Sequence, residues 1–383
     1  MKKILSKTTL IIIAAFALII VFAIPAAAQE EAHLPASFEE QLEASGAQKL
    51  TEALPEETRE SLAQLGIDGV DMYSLLRASP RDILVLLFDM LNGALPNILR
   101  SGAVALCIVM LLSFGFSAMP DDEKTRHALE VAGSMLALIL LLPGLSALMK
   151  GAAAVIKTGN AFGLLLIPIL AGVITAAGNP SLALGYHTFT LLAARGLSQL
   201  TDGVVIPCTG IILGLSLVDA AAKDSNLSKL AGAIKKTIIG TFTVLAGIFS
   251  ALLSIKSLIA NSADALVVRG VKIAAGSVPV VGGALSEACS AILGSVSLVK
   301  GAVGGFALIA ALVLYAPILI ELLLWSVQLK LLAAASELFA QEKAAGVFKS
   351  AAYAVAVLSA CVMFNAALLL ISTGLVITIG KGS

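Results

Sequence analysis

Apolar runs of bilayer length recur along this chain, and that recurrence limits its fold more than any motif does. LRSGAVALCIVMLLSFGFSAM at 99–119 and ALEVAGSMLALILLLPGLSALM at 128–149 are two of them. About 20 apolar residues in a helix cross the ~30 Å hydrocarbon core, and in lipid the backbone has to satisfy its own hydrogen bonds. With 58% hydrophobic and 13% charged residues, no soluble core of this length could hold the apolar side chains. The fold class that follows is an all-α polytopic membrane protein. Formal net charge is zero, so no basic surface points to nucleic acid.

The N-terminus reads as an export signal. Lys2, Lys3 and Lys7 precede TTLIIIAAFALIIVFAI, and Ala26 to Ala28 offer small residues for cleavage before Gln29. An uncleaved anchor is the alternative, because the apolar run is long for a signal. Under either reading, residues 29–99 lie outside the cytoplasm.

That segment alone looks soluble. Phe38, Leu42, Leu50, Leu54, Leu62 and Leu65 recur at helical spacing, Pro55 suits a first turn and Gly66 a C-terminal stop. Ser79, Pro80 and Asp82 then start a further helix, whose Ile83, Leu84, Leu86, Leu87 and Met90 would face the outer membrane surface or a partner. About seventy residues with few aromatics form only a small core, which suits a docking module better than a catalytic domain.

Beyond residue 99 the chain aligns with itself. LLLIPILAGVITAAGNPSLALGY and GSVPVVGGALSEACSAILGSV place Pro168 on Pro279 and Gly172 on Gly283, and Pro207 falls on Pro317. Each copy reads as two short Gly/Pro-interrupted segments forming a hairpin, one longer span, a lysine-bearing loop and a final span. The loops, 219–236 and 330–349, should be cytoplasmic with the polar turn 121–127, which makes the tandem repeats parallel in type. The chain so divides into a signal peptide (1–28), an extracytoplasmic helical docking region (29–99), two transmembrane helices (100–150), membrane repeat 1 (151–258), membrane repeat 2 (259–373) and a tail (374–383).

Broken helices at membrane depth are tolerated where protein or a water-filled cavity surrounds them, so the paired segments point to a cavity. Its candidate residues are Pro168, Gly172, Pro279, Gly282, Gly283, Glu287, Lys300 and Glu321. Glu287 and Lys300 could pair across a hairpin turning near Gly294, and Glu321 should face the bundle or the interface. The plainer reading is that the prolines kink ordinary helices, the glycines serve helix contact, and the charges are interfacial or structural pairs.

Cys107, Cys208, Cys289 and Cys361 stand singly in apolar runs and read as packing; His33, His127 and His187 are isolated. HExxH, GxSxG and GxxxxGK[ST] are all missing, so the sequence supports no enzyme, metal or cofactor assignment.

VKIAAGSVPVVGGALSEACSAILGSVSLVKGAVG, followed by APILIELL and the lysine-bearing loop, resembles stage III sporulation protein AE of endospore-forming Firmicutes. Lys272, Gly276, Pro279, Val280, Val281, Gly282, Ser286, Glu287, Lys300 and Gly304 carry the resemblance, which extends over essentially the whole mature chain. Gly301 departs from the Asn usual in the family. The resemblance implies a multi-pass subunit of a secretion-like channel complex joining mother cell and forespore, in the mother-cell-derived membrane around the forespore. The implied partners are the other stage III A-operon proteins and, through them, stage II sporulation protein Q; a homo-oligomer is compatible with this. A stand-alone secondary transporter is the alternative function, and a recruiting scaffold the third.

Overall fold

The computed structural model describes the backbone of residues 37–118, 123–221, 227–276 and 282–378, and the side chains from 253 to 293 lie outside that description. The expected signal peptide also lies outside the described residues. Among the described residues the chain is all-helical, with no strand.

Four short helices come first: α1 (Ser37–Ala44), α2 (Lys49–Glu52), α3 (Glu56–Gln64) and α4 (Met72–Arg77). The six apolar residues expected to form their core are all buried, Leu50 and Leu62 almost completely. Helix α3 ends where Gly66 takes a left-handed φ of +75°, a conformation that costs a side-chain-bearing residue about 1 kcal/mol or more. That turn lets Gly66 N–H bond the Ala63 carbonyl at 2.9 Å and Ile67 N–H bond the Leu62 carbonyl at 3.0 Å. The geometry is a Schellman motif, closed by the buried pair Leu62 and Ile67. Asp71 caps α4 by accepting from Ser74 N–H at 2.9 Å.

Long helices follow: α5 (Pro80–Ala118), α6 (Glu123–Ala176), α7 (Pro180–Leu200), a π turn (Thr201–Val205), α8 (Ile206–Ala221), α9 (Leu227–Gly276), α10 (Gly282–Leu338) and α11 (Glu342–Thr378). Ser79 Oγ accepts from Arg81 N–H at 3.2 Å, so the expected start at Pro80 is observed. Of the expected apolar face of α5, Ile83, Leu86 and Leu87 are buried while Leu84 is exposed. The edges drawn at 99/100, 150/151 and 258/259 fall inside α5, α6 and α9, and α11 continues past 374.

Six of these rods, counting α7 to α8 as one, are long and apolar enough to cross a membrane. Helices α10 and α11 form the centre: 78% and 67% of their most apolar stretches are buried, against 17% to 39% in the others. The outer rods turn Leu111, Phe114, Leu184, Leu192 and Val244 outward, as lipid-facing sides would. Close approach is bought by glycine: a Cβ at Gly144 would collide with the Trp325 indole.

The two ends of the bundle differ. At one end Ser113 Oγ donates to the Phe339 carbonyl at 3.4 Å, Lys343 N–H to Glu130 at 3.2 Å and Leu227 N–H to Asp219 at 3.2 Å. A Cβ at Gly346 would meet the Asp219 carboxylate at 3.9 Å, so the turns after α5, α8 and α10 share that end, as the sequence reading required of its three polar loops. At the other end Ser295 Oγ donates to Gln41 at 3.0 Å, Met72 faces Gly301 and Leu75 faces Gly305, so α1 and α4 sit on α10.

In the first copy the hairpin is not broken at proline; the second copy's Pro279 lies outside the described residues. Pro143 and Pro168 lie inside the 54-residue α6, and the turn comes later, with Gly178 at φ +84° and Pro180 opening α7. A proline removes one backbone bond and bends a rod, but flanking helices can hold the rod together. Pro207 follows the π turn directly, where the wider winding gives its ring room. Likewise α10 runs unbroken through Gly294, so residues 287 and 300 are separated by about 20 Å along one axis and do not pair across a hairpin.

Leu62→Ala should cost about 2–5 kcal/mol and open the N-terminal helices of the full-length chain to limited proteolysis, whereas exposed Glu60→Ala should leave the digestion pattern unchanged.

Candidate functional site

Two cavities flank α6 on opposite faces. The first contains expected residues: Pro168 and Gly172, with Val173 and Ala176, face Gln41 and Ala44 of α1, Ser45 just after it, and Val296 and Val299 of α10 across a cleft of about 320 Å³. Lys300, the next residue of α10, is buried beside it at 6% exposure. The structure thus brings Pro168, Gly172 and the neighbourhood of Lys300 together, roofed by the N-terminal helices. Glu321 does not join them: it is half-buried on α10, 22 residues or about 33 Å beyond Val299. Pro279 lies outside the described residues, as do the side-chain surroundings of Gly282, Gly283 and Glu287.

The second cavity, of about 30 Å³, lies between α6, α7, α9 and α11 and is lined in part by Asn160, Tyr186, Thr190, Asn365 and Ser372. A buried polar chain crosses the bundle beside it. Tyr315 of α10 donates its hydroxyl to Asn365 Oδ1, and Asn365 Nδ2 donates to Asn160 Oδ1 at 2.8 Å. Gly159 makes room, because a Cβ there would fall on the Tyr315 hydroxyl. Asn160 Nδ2, the Tyr186 hydroxyl and the Thr190 hydroxyl are buried with no hydrogen bond to the protein. Tyr186 lies near Ser372, whose hydroxyl donates to the Leu369 carbonyl at 3.0 Å and can still accept.

Sequence reasoning missed this cluster. Its members come from distant positions, and the available signal was the lone asparagine in VMFNAALLL and another in KTGNAF, each costly in lipid without a partner. Cys361, expected to be packing, is buried and 3.3 Å from the Thr201 hydroxyl, while Cys107 is exposed and the Cys289 side chain lies outside the description. Among the described residues no group of His, Cys, Asp or Glu is placed to hold a metal ion.

Six long apolar rods, four of them around the buried α10–α11 pair, with polar side chains clasped inside, define a polytopic all-α membrane protein. Within that class the chain matches the stage III sporulation protein AE family over residues 96–380, and it belongs to that family. The match begins within α5, so α1 to α4 stand outside it and the resemblance is narrower than the whole mature chain. No curated protein and no solved structure matches the chain.

The two cavities respond differently to added bulk. Gly172 has nothing within 4 Å of a Cβ, so Gly172→Leu should enter the cleft and leave membrane abundance normal. Gly159→Leu must displace Tyr315 and should lower abundance several-fold, since overpacking costs about 1–3 kcal/mol or more. Immunoblots of the membrane fraction check both.

Proposed function

We propose that this chain is the multi-pass membrane subunit of a channel or secretion-like complex that joins mother cell and forespore during endospore formation, set in the mother-cell-derived membrane around the forespore. The observation that carries this reading is the family match over residues 96–380 in a chain with six long apolar helices. Its partners are the other stage III A-operon proteins and, through them, stage II sporulation protein Q. The role is non-enzymatic, one of assembly and passage.

Within this reading α1 to α4 are the extracytoplasmic docking module and the three turns at the far end are cytoplasmic. Lysines at 229, 235, 236, 330, 343 and 349 near those turns support that orientation. Residues 151–258 and 259–373 are two tandem copies of one design, supported by the Pro207 and Pro317 match and by short turns at the same end after α8 and α10. The cleft at Pro168 and Gly172, closed by α1, is where the module and the membrane bundle communicate.

Deleting residues 37–79 should abolish co-purification of the other operon products from sporulating membranes while the membrane bundle persists. Retained co-purification would exclude the docking role. In a background without native cysteines, cysteine at Ser225 or Ala340 should resist an impermeant thiol reagent applied from outside the cell; ready labelling would reverse the orientation. Gly172→Leu should reduce the yield of heat-resistant spores at unchanged abundance, and normal yield would remove the cleft from the mechanism.

A further inference from the structure

The outer face of the α6–α7 hairpin carries formal charge at its waist, where a lipid-facing surface has none. On α6, Lys150 and Lys157 are exposed, in line with exposed Pro143, Leu164 and Pro168. On the rod that follows, Arg195, Gln199 and Asp202 are exposed along the stripe that begins at Leu184. None of these four charged side chains makes an ion pair among the described residues. Lysine and arginine carry their charge on long stems that reach toward a membrane surface, but the short side chain of aspartate does not. Asp202 stands about 33 Å from Pro180 and about 26 Å from Asp219, the two ends of its apolar span, and each distance exceeds half the ~30 Å hydrocarbon core. An exposed carboxylate at that level is costly against lipid and marks a place where protein belongs.

Two buried contacts fix the levels of these groups. Asn160 of α6 bonds Asn365 of α11, and Thr201, next to Asp202, lies 3.3 Å from Cys361, one turn away on α11. Lys157 and Asp202 therefore lie within about 5 Å of one level along the bundle. That level is near the middle of α11, whose residues from 350 to 378 carry no charge. We infer that this face is an interface between copies of this chain, in which Asp202 of one copy pairs with Lys157 of the next. Copies in one membrane share an orientation, so groups at equal levels in one chain meet at equal levels between chains. Setting α6 of one copy against the α7–α8 rod of another brings carboxylate to ammonium, whereas α6 against α6 would oppose two lysines. Leu164 and Leu184, exposed on the same two stripes toward the α6–α7 turn, add apolar contact beside the pair. The inference stands apart from the channel reading, because it follows from the charge and level of this surface alone.

Two differently tagged full-length chains, co-expressed in a host that lacks the other operon products, test the contact. Unaltered copies should co-purify in mild detergent. Asp202→Lys or Lys157→Asp, placed in both copies, should lower co-purification about ten-fold or more, and the two reversals together in each chain should restore it. Failure of unaltered copies to co-purify, undiminished co-purification of either single variant, or a double variant no better than the singles would overturn the pairing. Should a reversal also lower membrane abundance, cross-linking decides. In chains without native cysteines, Lys157→Cys in one copy and Asp202→Cys in the other should give a dimer carrying both tags when treated with a short bis-maleimide. Leu184→Cys in place of Asp202→Cys, about 27 Å away along the rod, should give none. Absence of the mixed dimer at normal abundance, or an equal yield from Leu184→Cys, would likewise remove the interface.

Discussion

In a bundle held by leucine against leucine, one helix can slide past another by a turn and find nearly equivalent contacts. Tyr315, Asn365 and Asn160 do not permit that. A slip of one turn, about 5.4 Å, would strand two amides and a phenol in an apolar interior. The chain of bonds joins α10, α11 and α6, which are the rods that pack most deeply against one another, and Gly159 supplies the space in which it forms. The vertical alignment of the membrane part is therefore set by a few polar atoms, while dispersion across the remaining surface supplies most of the attraction.

That alignment has consequences at both ends. With α6 antiparallel to α10, the stretch around Pro168 and Gly172 comes level with Val296 and Val299, and α1 lies over both. At the opposite end the same register brings Glu130 to Lys343 and Ser113 to Phe339. The six apolar spans are 26 to 50 residues long, or about 39–75 Å, more than the ~30 Å core of a bilayer requires. Every rod thus extends beyond the hydrocarbon or tilts within it.

Some of this was legible in the sequence and some was not, for separable physical reasons. Phe38, Leu50 and Leu62 announced their burial by helical spacing, and Gly66 announced the end of α3, because both signals are local. The common end of the three polar turns followed from lysine placement and the number of crossings. Pro168 misled because a proline's effect on a helix is decided by what flanks it in space: packed against its neighbours, α6 continues to Ala176. Gly294 misled similarly: it is exposed, with nothing within 4 Å of a Cβ, and α10 simply continues through it. The cluster of Asn160, Tyr186 and Asn365 was illegible because no local rule relates residues 205 positions apart.

Helix α5 begins one residue after Ser79 in the N-terminal module and does not end until Ala118, carrying Pro96 within it. Module and first span are joined by two non-helical residues, Ala78 and Ser79. A load applied to α1 to α4 acts on a lever about 58 Å long whose far end meets Phe339 at the opposite face of the bundle. With a tether of two residues, about 7 Å of chain, α4 cannot move far from the start of α5 without displacing it.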